Sequence, residues 1–136
     1  VQWLAFASNA FNTLVPFYAA VDETPECLAN TTKEVSTGNF YWSARMIAAM
    51  ADASFAKSAI HIERYQNAVQ AKGHALLRKY DAEAAKITDP AESRRLLEKA
   101  NREIAKMLKE ETGNTLDHVL FELSNSMKNA FSRSDA

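Results

Sequence analysis

The sequence predicts a mainly α-helical protein with a short β segment at its N-terminal side. Glycine and proline are scarce, with three residues of each in 136, and this scarcity disfavours a turn-rich all-β fold. From Phe40 onward apolar residues recur at helical spacing, whereas residues 1–18 are rich in aromatic and β-branched side chains and lack that spacing. We therefore expect a helical bundle that carries a strand segment.

Residues 1–18 predict two short strands joined by a turn. The first strand is apolar on both faces, which indicates a buried strand. Serine and asparagine in residues 8–12 supply turn chemistry, because their side chains bond to nearby backbone. Residues 13–18 resume the extended pattern. Pro16 cannot donate to a sheet ladder, so we expect it at an edge or a strand end.

Residues 19–39 predict a polar connector, and the helical region follows as residues 40–136. Residues 1–39 thus form a hairpin and connector, which we expect to complete the sheet of a larger protein. The apolar periodicity predicts four helices, at about 40–55, 58–87, 90–112 and 115–131.

The ends of these helices carry recognisable capping residues. Asn39 or Thr37 is expected to cap the first helix. Asp89 is the expected N-cap of the third helix, with Pro90 as its first residue and Gly113 just past its last turn. Because only a short loop joins the second and third helices, we expect them to pack antiparallel.

Composition disfavours two classes of partner. Sixteen basic and seventeen acidic side chains nearly cancel, so no bulk field would attract nucleic acid or anionic lipid. The apolar run of residues 1–21 is too interrupted to span a bilayer. We expect neither nucleic acid nor a membrane as partner. The single cysteine cannot form an internal disulfide, which argues against an oxidising compartment.

The three histidines do not predict a metal site. On a straight helix the thirteen residues between His61 and His74 would separate them by nearly 20 Å, and His118 lies far along the chain. We expect packing or surface histidines, no metal and no cofactor.

Cys27 is an unpromising nucleophile. A catalytic thiol needs a base within about 3 Å, and the nearest histidine in sequence is His61. Three acidic neighbours, Asp22, Glu23 and Glu26, are expected to raise the pKa of the thiol.

Three strings resemble the bacterial cysteine dipeptidases of the dipeptidase A type, which are N-terminal-nucleophile hydrolases related to choloylglycine hydrolase and penicillin V acylase. The strings are W-L-A-F-A-S-N-A-F-N-T-L-V-P-F-Y-A-A-V-D-E-T-P-E, S-T-G-N-F-Y-W-S-A-R-M-I-A-A-M-A-D and H-I-E-R-Y-Q-N-A-V-Q-A-K-G-H. The resemblance is strong over residues 3–80 and weakens after Ala84.

The resemblance implies a four-layer αββα fold in the full-length protein and hydrolysis of dipeptides. It also implies a nucleophilic cysteine made N-terminal by processing, whose free α-amine serves as the base. Residue 1 here is valine, which has no nucleophilic atom. We therefore expect a C-terminal fragment of such an enzyme, inactive alone, whose partners are the dipeptide substrate and the rest of the same polypeptide. Homo-oligomerisation stays open, and a cytoplasmic bacterial location is expected.

Asn9 and Asn12 are the candidate site residues. Both lie in the turn between the two apolar strands, where an amide could stabilise an oxyanion or line a pocket. Turn formation explains them equally well.

A second hypothesis comes from a different functional class. The apolar stripes of the three later helices could form an autonomous bundle that acts as a protein-interaction module. The two hypotheses differ in whether residues 1–18 belong to a larger sheet.

Overall fold

The structure is a computed structural model that describes residues 1–6, 10–29 and 31–127. In these residues the chain forms strands β1 (Gln2–Leu4) and β2 (Val15–Phe17), a 3₁₀ turn (Glu26–Leu28), and helices α1 (Phe40–Ala53), α2 (Phe55–Ala84) and α3 (Pro90–Asn125). The predicted fold class, mainly α with short N-terminal strands, is confirmed.

The two strands form an antiparallel hairpin in which Trp3 lies opposite Pro16. Every residue of β2 is buried, whereas Trp3 in β1 remains 37% exposed. The expectation of a buried first strand is therefore wrong. Both α2 and α3 pack against β2, and β1 contacts the described chain chiefly through β2, so β1 lies at the outer edge.

Tyr18, at the end of β2, connects the hairpin to both long helices. Its backbone N–H donates to Oδ1 of Asn101 at 2.9 Å, and Nδ2 of Asn101 donates to its carbonyl oxygen at 3.0 Å. Its hydroxyl donates to Oδ1 of Asp81 at 2.7 Å. Burial, and then the neighbouring Asp81 carboxylate, raise the pKa of Tyr18. One residue thus holds α2 and α3 against the strand.

Helices α2 and α3 pack antiparallel, as predicted. Partner numbers fall along α3 as residue numbers rise along α2, which is the order that antiparallel helices produce. The pairs are His61 with Glu122, Tyr65 with Thr112, Lys72 with Glu111, and Lys79 with Glu103.

The expected break in the third helix does not occur. Residues 90–112 and 115–125 belong to one helix, and Gly113 lies in its interior, whereas Ser126 and Met127 of the predicted last helix are not helical. The buried face runs from Thr112, just before the glycine, to Thr115 and Val119 beyond it. Burial of that face outweighs the cost of a helical glycine, about 1 kcal/mol. Residues 128–131 of the predicted last helix lie outside the described residues.

Both predicted N-caps are present. The backbone N–H of Trp42 donates to Oδ1 of Asn39 at 3.3 Å, and that of Glu92 donates to Oδ2 of Asp89 at 3.3 Å. Between α1 and α2 only Ser54 is non-helical. The interruption between the first two helices therefore falls at residue 54, slightly earlier than the predicted position between residues 55 and 58.

Gly73 lets α2 approach β2 closely. A Cβ atom at this position would lie 3.0 Å from Cδ of Pro16 and 3.2 Å from its Cγ. At Gly113, by contrast, a Cβ atom would meet nothing within 4 Å. The two helical glycines therefore have different physical roles.

We predict opposite effects of alanine at these glycines. Gly113→Ala should raise the free energy of unfolding by about 1 kcal/mol, because alanine favours the helix and meets no obstacle. Gly73→Ala gains the same helix propensity but overpacks against Pro16, which costs about 1–3 kcal/mol, so the variant should be less stable than the parent. Urea unfolding followed by circular dichroism measures both, and equal stabilisation by the two substitutions would contradict the Pro16 contact.

The Asn101 amide provides a second stability prediction. Asn101→Leu should lower the free energy of unfolding by about 2–4 kcal/mol, because it leaves the buried N–H and C=O of Tyr18 unpaired. Asn114→Leu, the same change at an exposed position of α3, is the matched control and should change stability little. Equal losses in the two variants would show that the amide pairing is unimportant.

Candidate functional site

A cleft of about 640 Å³ lies between the hairpin and α2. Its walls combine residues from β1, from the segment after it, from the segment before β2, and from one face of α2. The lining residues are Trp3, Ala5, Asn12, Thr13, Leu14, Gln66, Gln70 and His74.

The α2 wall of the cleft is a row of three polar side chains. Gln66, Gln70 and His74 are spaced four residues apart, so they lie on one face of the helix. The His74 ring packs against the ring of Trp3, with centroids 4.9 Å apart and planes tilted by 49°. This contact brings the exposed strand β1 to the helix at one end of the cleft.

Asn12 lines the cleft and also organises the loop that precedes β2. Its Oδ1 accepts from the backbone N–H of Thr13 at 2.8 Å and from that of Phe6 at 3.2 Å. Its carbonyl oxygen accepts from Nε2 of Gln66 at 2.6 Å. Asn9, the other candidate, lies outside the described residues. Contact of either asparagine with a substrate stays a prediction.

The α2 row was missed from the sequence, although a signal was present. Most polar positions of α2 carry charge, whereas positions 66, 70 and 74 carry two amides and an imidazole at intervals of four. A search for uncharged polar residues at helical spacing would have found them. Their partner Trp3 could not have been named, because that pairing depends on how the hairpin docks.

Cys27 lies away from this cleft. The half-buried thiol lines a smaller cavity of about 180 Å³ between the 3₁₀ turn, the start of α1 and the Gly113 region of α3. Burial is the main cause that raises the pKa of Cys27, and Glu26 contributes less, so the sequence-based emphasis on acidic neighbours was misplaced. The hydrogen bonds of the described residues include none between Cys27 and an imidazole.

Two of the histidines meet across the helix pair. The rings of His61 and His118 stack with centroids 5.0 Å apart, and Nε2 of His61 lies 3.3 Å from Oε1 of Glu122. The sequence distance between them suggested separation, but antiparallel packing brings them together. In residues 1–6, 10–29 and 31–127, no three histidine, cysteine or carboxylate side chains converge to hold a metal ion.

The helices of the described chain offer no stretch that is both long and apolar enough to cross a membrane.

Comparison with known proteins identifies the family. The family model for peptidase family C69 matches residues 1–68, which is half of the chain. The chain belongs to peptidase family C69. The C69 match covers the hairpin, the connector, α1 and the first part of α2. It therefore includes the strand and loop walls of the cleft and the Gln66 position.

The C69 chain is similar along its length to several bacterial proteins. It is 37% identical to a dipeptidase of Bifidobacterium longum (strain NCC 2705), over 99% of this chain and 32% of that protein. It is 39% identical to a probable dipeptidase A of Streptococcus pyogenes serotype M3 (strain SSI-1), over 99% of this chain and 28% of that protein. The chain thus spans about a third or less of the length of these curated relatives.

The environment of Cys27 predicts a thiol of low reactivity. Because its pKa is raised, less thiolate exists at a given pH, and alkylation by iodoacetamide should be slower than for an exposed thiol. The alkylation rate should rise with pH in both the folded protein and the protein unfolded in urea. The pH at which it reaches half of its maximum should be higher in the folded protein. A lower midpoint in the folded protein would contradict the burial argument.

Proposed function

We propose that this chain is a segment of a cysteine dipeptidase that hydrolyses dipeptides. One observation carries the proposal: relatives named dipeptidase align with 99% of the chain at 37–39% identity. The dipeptide as substrate and the rest of the same polypeptide as partner belong to this proposal. Membership of C69 by itself supports only a peptidase.

In this proposal the nucleophile is an N-terminal cysteine on the part of the enzyme outside this chain. An α-amine has an unperturbed pKa of about 7.7–8.0, so it can accept the thiol proton near neutral pH without a histidine. Cys27 does not suit that role, because its pKa is raised by burial. We infer that the chain alone does not hydrolyse dipeptides.

The hairpin supports a structural role in the larger enzyme. The outer edge of β1 has no partner among the described strands, and the side chain of Val1, which precedes β1, is 57% exposed. An unpaired strand edge with apolar side chains favours pairing with a further strand. We propose that β1 joins the sheet of the αββα fold and that α1, α2 and α3 form its outer helical layer.

The alternative hypothesis, an autonomous interaction module, has less support. Relatives that align with nearly the whole chain carry peptidase names. An isolated hairpin leaves the backbone N–H and C=O groups at the outer edge of β1 without a strand partner, whereas a larger sheet would pair them.

The intact polypeptide tests the proposal. We expect it to release free amino acids from dipeptides, measured by chromatography of the products. Cys27→Ser should leave kcat/KM within a few-fold of the parent, because a half-buried thiol with a raised pKa takes no part in the reaction. Serine in place of an N-terminal cysteine should lower the rate by several orders of magnitude.

Two results would overturn the proposal. The first is a loss of several orders of magnitude in Cys27→Ser, since this would make Cys27 the nucleophile. The second is dipeptide hydrolysis by the isolated chain Val1–Ala136, since this would place all the catalytic groups within it.

A further inference from the structure

None of the described residues that line the cleft between the hairpin and α2 is an aspartate, glutamate, lysine or arginine. The lining side chains are apolar, amide, hydroxyl or imidazole, with no carboxylate, ammonium or guanidinium group among them. The rest of α2 is different, because charged side chains occupy many of its exposed positions: Glu63, Arg64, Lys72, Arg78 and Lys79. The α2 positions that line the cleft therefore carry no carboxylate, ammonium or guanidinium group, and Glu63, which lies on the same face of the helix seven residues before Gln70, is not among the lining residues.

A cleft with uncharged walls favours uncharged ligand groups, because charged groups lose more hydration energy on entering it. An ionised group that enters such a cleft loses hydration and finds no opposite charge, which is unfavourable. An amide or aromatic group loses less hydration and can pair with amides or pack on apolar walls. The volume of about 640 Å³ falls within the range of small-ligand sites, about 300–1,000 Å³.

The two sides of the cleft offer different contacts: the hairpin side supplies apolar surface, and the α2 side carries hydrogen-bonding amides. Trp3 and Leu14 supply exposed apolar surface on the hairpin side. Gln66 is held in place by its hydrogen bond to the Asn12 carbonyl. Gln70 is exposed on the same face of α2, one turn further along, and its carboxamide offers both donors and an acceptor.

We propose that this cleft binds the uncharged side chain of a dipeptide substrate, whether apolar, aromatic or amide-bearing, and that Gln70 contributes to the choice of side chain. The charged termini of the dipeptide would then be bound by other parts of the enzyme. This inference rests on the proposed dipeptidase function and adds to it a substrate class and a location for side-chain recognition.

The test introduces charge into the cleft of the intact enzyme. The substrates are two series that differ in one side chain: Gln-Ala, Glu-Ala and Lys-Ala, and Ala-Gln, Ala-Glu and Ala-Lys. In at least one series the parent should have its highest kcat/KM for the glutamine dipeptide. Gln70→Glu should raise the ratio of lysine to glutamate substrates in that series by about tenfold, and Gln70→Lys should lower it by about as much.

Ala71→Glu is the matched control. It adds the same charge one residue further along α2, about 100° around the helix, at an exposed position that does not line the cleft. Its lysine-to-glutamate ratio should stay within twofold of the parent value. Because Gln70 is exposed, both of its variants should retain the parent circular dichroism spectrum.

The outcomes separate this inference from the proposed function. If the intact enzyme hydrolyses dipeptides but Gln70→Glu and Gln70→Lys leave the ratios within twofold of the parent, the cleft is not a side-chain site and the dipeptidase function stands. If Ala71→Glu shifts the ratios as much as Gln70→Glu, the effect is one of net charge and the inference fails. If the intact polypeptide hydrolyses no dipeptide, both proposals fail.

Discussion

The pairing of Asn101 with the backbone of Tyr18 is the contact on which the rest of the structure depends. A strand that ends inside a protein must satisfy its N–H and C=O groups, because an unpaired buried group costs about as much as a lost hydrogen bond. Here one side-chain amide of α3 provides both partners, as a neighbouring strand would. The Tyr18 hydroxyl reaches Asp81 on α2 at the same time. The hairpin therefore has a defined position against both helices, and the cleft has a defined wall.

The cleft follows from how closely α2 approaches the hairpin along its length. At Gly73 the helix backbone lies against Pro16, and no side chain separates them. One and two turns earlier, at Gln70 and Gln66, the helix borders open space instead. The close contact at Gly73 and the long polar side chains that precede it produce a recess with a regular helix as one wall, and sites supported by helices position side chains more precisely than sites on loops.

Two features of the C69 chain fit a structural role in the proposed enzyme. The chain's only cysteine lies half-buried beside Gly113, with a pKa raised by burial, and contributes to packing. Its hairpin is a two-stranded sheet, and the outer edge of β1 has no strand partner among the described residues, which suits continuation into a larger sheet. A division in which one segment shapes the site while another supplies the nucleophile is consistent with a chain that spans only 28–32% of its dipeptidase relatives.

The features that could be predicted before the fold was known depend mostly on residues close together along the chain. These are the fold class, the caps at Asn39 and Asp89, the antiparallel pairing of α2 and α3, and the strings that indicate the family. The continuity of α3 through Gly113, the exposure of β1, and the contacts between residues distant in sequence depend on how the elements pack, and they could not be predicted from local patterns. Those contacts are His61 with His118, and Trp3 with His74. Local preferences are worth about 1 kcal/mol or less per residue, whereas burying one large apolar side chain contributes about 1.5–3 kcal/mol, so packing decides wherever the two conflict.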